Sequence, residues 1–210
     1  MKKQIRIILS GASSAGKTTL ANDFLKKHGS FVHIDELARE IMKEQKIDNE
    51  DLRRSLQSDK QLFLDFQRKI LDAQIRKEQE CDTQRDNQTG DQSVGRSYIS
   101  DRGLDPIAYA GAYGTDDEQE RMMLHPAAMQ LIERYQTVNS SRVFTLIVLV
   151  HPLDHVDADG VRLVQELKQQ LEYTQRLRDI FRANRIPFME LECSGRDERL
   201  AALEEALHQN

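Results

Sequence analysis

The chain has 210 residues, 35 acidic and 30 basic, for a formal net charge of −5, which argues against capture by nucleic acid or an anionic membrane through a global positive field. With 39% hydrophobic and 31% charged residues and a mean hydropathy of −0.64, it carries enough apolar side chains for one core of domain size and is expected to fold as a single domain over residues 1–210. The longest apolar run, Val143 to Val150, is far too short for a membrane-crossing helix, so no span and a cytoplasmic location are expected.

Cys81 and Cys193 lie far apart, have no metal-like spacing, and are expected to stay thiols without a role. The first apolar run follows two lysines but leads straight into a glycine-bracketed loop, so it reads as a buried strand and not as a cleavable leader.

Five segments read as strands: 4–10, 30–34, 96–100, 143–150 and 187–192. Between them lie helical patterns, with Leu62, Phe66, Ile70 and Ile75 on one helix and Leu163, Leu167, Leu171, Thr174 and Leu177 on another. Strand alternating with helix predicts an α/β fold, a mostly parallel sheet with helices on its faces. The polar run 82–95 predicts a mobile loop.

Behind the first strand, Gly11, Ala12, Ser13, Ser14, Ala15, Gly16, Lys17 and Thr18 match G-x-x-x-x-G-K-[ST] without departure, and Thr19 continues into a helix with Leu20, Phe24 and Leu25 at core spacing. The glycines let the backbone curl so that successive N–H groups point inward, and the helix that follows adds its positive end. Lys17 is placed to reach the β- and γ-phosphates of a nucleotide and Thr18 to ligate magnesium. With glycine at about 7% of residues, a chance match in a chain of this size is on the order of one in a hundred, and the strand and helix flanking the loop lower it further.

A phosphate loop does not separate kinases from switches or hydrolases. No Asn-Lys-x-Asp run exists to read guanine, and Asp157 to Gly160 fits D-x-x-G only after the wrong strand. No Leu-Ser-Gly-Gly-Gln run marks a transporter subunit. The third strand ends "YISDRG", which sets Asp101 where an acid can hold a metal or orient an acceptor hydroxyl, unless it is only a turn former. Arg102 suits a phosphate or carboxylate on a substrate, with a surface ion pair as the alternative.

In this order of motifs the chain resembles the small P-loop ATPase and kinase-like proteins of the AAA-domain group, which includes nicotinamide riboside kinase domains and is distantly similar to thymidylate kinases. The resemblance runs through "GASSAGKTTLA", "IDELARE", "FQRKILDAQ", "DRGLDPIAYA", "DADGVR" and "CSGRDERLAAL". It implies a P-loop NTPase three-layer sandwich of the kinase type, with a five-stranded parallel sheet, the phosphate-loop strand beside the Asp101 strand, and a lid at about 151–162. It also implies an acceptor site near Asp35, Glu36, Arg39, Arg102, Asp105 and Tyr109, and a lid cation, Arg162, swung onto the phosphates.

Several of these residues have plain alternatives. Asp35 and Glu36 suit a helix N-terminus, and the sequence does not say which of them faces the site. Asp105 before Pro106 makes a good helix cap, and Tyr109 on the same helical face serves equally as packing. Arg162 also fits a solvated helix, and Arg176 and Arg178 are substitutes for it. His151 and His155, separated by Pro152, read as loop histidines, while Arg196 suits either stacking on adenine or a helix start. The combined expectation is an ATP-dependent phosphotransferase using magnesium and acting on a small metabolite such as a nucleoside or nucleotide. GTP as donor stays open, and the rivals are a nucleotide-switched binding module and a simple NTP hydrolase.

Overall fold

The computed structural model describes residues 3–48, 60–84, 94–137, 140, 142–153 and 167–209. In chain order its elements are β1 (Gln4–Ser10), α1 (Lys17–Lys27), β2 (Val32–Ile34), α2 (Leu37–Gln45), α3 (Lys60–Thr83), β3 (Tyr98–Asp101), α4 (Asp105–Tyr113), α5 (Asp116–Met123), α6 (Pro126–Gln136), β4 (Val143–Val150), α7 (Leu167–Ala183), β5 (Met189–Leu191) and α8 (Arg196–His208). The five strands form one parallel sheet in the order β2-β3-β1-β4-β5. The phosphate-loop strand and the Asp101 strand are neighbours, with Leu9 in register with Asp101.

Successive side chains of a strand point to opposite faces, so each central strand feeds two cores. Ile8, Tyr98, Ile147 and Leu149 pack with the helices from α2 to α7 on one face. Ile7, Leu9, Ile99, Val148 and Val150 pack with Leu20, Ala21 and Phe24 of α1 and Leu200 and Leu203 of α8 on the other. The result is a three-layer sandwich. Each fully buried Ile or Leu contributes about 1.5–3 kcal/mol relative to exposure, and β1 and β4 are buried over most of their length, as a near-continuous apolar run requires.

β1 and β4 fall where the sequence predicts them, while β2, β3 and β5 pair over shorter or shifted spans at the sheet's flanks. The expected apolar stripe of α7 holds only in its second half. Thr174 and Leu177 are buried, but Leu167 and Leu171 are about half exposed, and Gln170 and Tyr173 take the inner face instead. Leu62 is likewise outward on α3, where Phe63 and Leu64 turn inward. No helix among the described residues is long and apolar enough to cross a membrane. Of the predicted polar loop, 85–93 lie outside the described residues, as do 154–166, which contain Arg162, His155 and most of the expected lid.

Candidate active site

The site forms at the carboxyl ends of β1, β3 and β2, the side on which open α/β sheets take ligands. From β1 the chain turns at Gly11, whose φ is 155° and where a Cβ would sit 2.4 Å from the Val150 carbonyl oxygen, so only glycine fits. Ser14 adopts φ 63° and Gly16 φ 86°, two left-handed turns that curl the loop before α1 begins. α1 starts without a side-chain cap and without an acid in its first turn. Its orphan N–H groups and positive dipole end are thus left for an external anion. α5, by contrast, is capped by Thr115 and carries Asp116, Asp117 and Glu118 in its first turn.

Lys17 is 5% exposed, and its Nζ donates to the carbonyl oxygens of Gly11 and Ala12, both at 2.8 Å. Burial, followed by the neighbouring Arg102 guanidinium, lowers its pKa to about 8. Thr18 donates its hydroxyl proton to Asp101 Oδ2, and the Asp101 carboxyl is buried at the end of β3. Thr19 is exposed on the outer side of α1.

Arg102 follows Asp101 at φ 139°, a conformation that costs a non-glycine residue on the order of 1–3 kcal/mol and persists only where neighbours enforce it. Ser100 Oγ donates to the Arg102 carbonyl at 2.8 Å, and the guanidinium is anchored on Glu36 Oε1 through Nη2 at 2.6 Å and Nε at 3.1 Å. Arg102 Nη1 donates to the Tyr109 hydroxyl at 3.3 Å and lies 3.6 Å from Asp105. Burial disfavours ionised Glu36, but Arg102 and then Lys17 and Arg39 outweigh it and hold its carboxyl down at about 2. Glu36 Oε2 also accepts from Arg39 Nε at 3.1 Å. Of the two candidate acids, Glu36 therefore turns inward, and Asp35 is exposed and accepts from the Glu36 amide.

Asp105 is neither an open pocket wall nor the cap of α4. Leu104 holds the cap position, and the fully buried Asp105 carboxylate accepts from Gly11 N at 3.1 Å and Gly103 N at 3.0 Å, with the Tyr173 hydroxyl donating to its Oδ1 at 3.3 Å. It is a clasp joining the phosphate loop, the turn after β3 and α7. Tyr109 lies half-buried against Tyr113 and Tyr173, with ring centroids 5.8 Å and 4.7 Å away, and Phe63 meets Tyr113 edge-on.

Three other cations named from sequence and lying among the described residues are engaged elsewhere. Arg176 pairs with Asp116 and Arg178 with Glu190, while Arg196 pairs with Asp23 through two hydrogen bonds. His151 Nε2 lies 2.7 Å from Glu190 Oε2, a carboxylate already gripped by Arg178, and this cation displaces the case for a metal among His151, Glu190 and Glu192.

One residue the motifs did not single out is Arg199, whose Nη1 donates to the Ala15 carbonyl in the phosphate loop. Its sequence signal is weak: an arginine that shares the inner face of α8 with Leu200 and Leu203.

Thr18 and Asp101 offer adjacent hard oxygen donors beside an uncapped helix N-terminus, a donor set that fits magnesium carried in with a nucleotide.

A family described as "AAA domain" matches residues 6–199. A comparison with curated proteins finds no significant match. Among solved structures, the NadR protein in complex with NR superposes with a TM-score of 0.68 at 19% identity, over 99% of this chain and 51% of that one, so this chain spans about half the length of that protein. Deoxyadenosine kinase from M. mycoides, with products bound, gives 0.61 at 14% identity over 98% of this chain and 100% of that one. Thymidylate kinase from Ehrlichia chaffeensis gives 0.50 at 16% identity over 98% and 99%. At such identities the likeness establishes the shared P-loop kinase fold.

Proposed function

Because the chain belongs to the AAA-domain family and has the P-loop kinase fold, we propose that it transfers the γ-phosphoryl group of Mg-ATP to a hydroxyl of a small neutral metabolite, nucleoside-like in size. The observation that carries this reading is a carboxylate, Glu36, fixed beside Lys17 and Arg102 at the mouth of the phosphate loop. An acid held there by a buried arginine can accept a hydrogen bond from an acceptor hydroxyl, or from a water in a hydrolase, so the acceptor dependence of ADP release separates the two.

The loop amides and Lys17 would hold the phosphates, and Thr18 and Asp101 would hold magnesium, which neutralises phosphate charge when bound. Glu36 is a poor general base, since a carboxyl at about 2 has little proton affinity. A loose transition state asks little of a base, so the role that suits Glu36 is to accept a hydrogen bond from the acceptor hydroxyl and align it.

The same charge pattern bears on the acceptor. Arg102 is already matched by Glu36, and Glu36 is ionised at any physiological pH, so a phosphate-bearing acceptor would meet a negative charge, offset among the described residues by the exposed Arg39 and by Lys17, which the donor phosphates would engage. Tyr109 and Tyr113, stacked on each other beside Arg102, add aromatic surface next to this charge pair. Nucleosides and related polyols are therefore favoured over nucleoside monophosphates.

The test is ADP release by purified protein with Mg-ATP against matched panels of nucleosides, nucleoside monophosphates and vitamin precursors. Acceptor-dependent release, lost in Asp101→Asn with ATP binding retained, supports the transfer reading. Release indifferent to any acceptor sinks it in favour of hydrolysis, and a preference for monophosphates overturns the assignment of acceptor class.

A further inference from the structure

Arg199 is a buried cation held by backbone carbonyls. It is 4% exposed, and its guanidinium fans over three carbonyls from three separate loops: Ala15 at 2.5 Å, Cys193 at 2.6 Å and His151 at 2.9 Å. Among the described residues no acid pairs with it, and burial pushes its pKa down from the ordinary arginine value. A desolvated charge that rests on carbonyl dipoles favours an anion nearby.

The contact with Ala15 says where that anion lies. A peptide group is planar and trans, so the Ala15 carbonyl and the Gly16 N–H point in opposite directions. A donor that fixes this carbonyl from the α8 side therefore aims the Gly16 N–H away from α8. Gly16 is the cap residue of α1, at φ 86°, so this peptide unit needs an outside partner to fix its orientation. A charged donor on the carbonyl also polarises the amide and makes its N–H a stronger donor.

We infer that Arg199 is a positioning residue of the donor site: it orients and polarises the Gly16 N–H toward bound polyphosphate and sets a fixed positive charge behind the phosphate loop. The inference rests on the phosphate-loop reading above. Through His151 and Cys193 the same side chain also ties the loop to the chain leaving β4 and β5.

The test uses the full chain, inorganic tripolyphosphate as probe so that base contacts play no part, and the ¹⁵N resonance of Gly16. In Arg199→Met the Gly16 nitrogen moves upfield, and tripolyphosphate binds roughly ten- to a hundredfold more weakly, as expected for one charge-assisted hydrogen bond. Arg199→Lys, with the charge but not the fork, falls between. Affinity within about twofold of wild type overturns the inference even if the variant melts earlier, because a purely structural clasp would lower stability without touching the anion. An unmoved Gly16 resonance overturns it as well. If Arg199→Met does not fold, Arg199→Gln, neutral but still a donor, is read by the same two measurements. A wild-type protein that ignores tripolyphosphate would remove the donor-site reading, and the Gly16 resonance would still judge the Ala15 contact.

Discussion

The two halves of the proposed transfer site are built on different principles. The donor half is made by the backbone: a loop of eight residues curls through two left-handed turns, opens an uncapped helix, and holds Lys17 on its own carbonyls. The acceptor half is made by side chains far apart in sequence, with Glu36 of one strand end gripping Arg102 of another. A backbone cradle tolerates many neighbours, whereas a side-chain pair fixes one charge pattern. The donor half is accordingly suited to any nucleotide, and the acceptor half is where selectivity would reside.

The largest effect should come from breaking the donor half. Lys17→Met is expected to lower turnover at least about a thousandfold, because a fixed charge at the transferring phosphates is lost. The same variant should be more stable than wild type. Lys17 titrates near 8 in the fold and near 10.4 unfolded, so between these values the unfolded chain binds more protons and stability rises with pH. Below pH 8 the fold bears the full cost of a buried ammonium, about 3 kcal/mol, offset in part by the two carbonyl contacts. A net gain of about 1 kcal/mol at pH 7, or roughly 2–4 °C, should appear by calorimetry, together with loss of the alkaline rise. A polyphosphate beside Lys17 restores its charge, so ATP binding at pH 8 to 9 should take up a proton, measurable by titration in buffers of different ionisation enthalpy.

Next in size is the acceptor half. Glu36→Gln should cost about a hundredfold in kcat through lost alignment while leaving ATP affinity unchanged. Its stability signature has the opposite sign to that of Lys17. Glu36 is held at about 2, below its unfolded value near 4.3, so its contribution is complete above that value and fades as pH falls toward 2. Wild type should lose about 3 kcal/mol from this group across that window, and Glu36→Gln should lack that part of the acid limb in a pH series of denaturant melts. A variant with normal kcat would show that Glu36 only props Arg102.

The contrast also explains what could be read from sequence. The donor half was legible because its chemistry obeys local rules over a short stretch, from Gly11 to Thr18. β1 and β4 were legible because a strand covered on both faces must be apolar throughout. Residues 36 and 102 were both visible as candidates, but their pairing depends on β2 lying beside β3, a fact of topology and not of spacing. Asp105 before Pro106 has the local pattern of a cap, yet β3 and β1 as neighbours bring Gly11 within its reach. Tertiary contact likewise overrode periodicity on α7, where Tyr173 reaches Asp105 and draws the inner face away from Leu167 and Leu171. Arg199 leaves little trace in the sequence because its partners are carbonyls of three loops, which no side-chain pattern records.

The smallest expected effect separates Arg196 from Arg199, three residues apart on α8. From sequence, Arg196 could stack on a nucleotide base; in the fold its Nε and Nη2 meet Asp23 at 2.5 Å and 2.7 Å, and the hydrogen bonds from Arg196 and Lys26 hold the Asp23 carboxyl well below its usual range. The pair is largely exposed on the arginine side and joins α1 to α8 on the outer layer. An exposed pair of this kind is screened by salt and contributes little. Arg196→Ala should therefore leave the KM for ATP within about twofold and produce only a small shift in melting temperature, one that vanishes in high salt. A tenfold rise in KM at unchanged stability would mean that Arg196 leaves Asp23 for the nucleotide, and the donor half would then depend on a side chain as the acceptor half does.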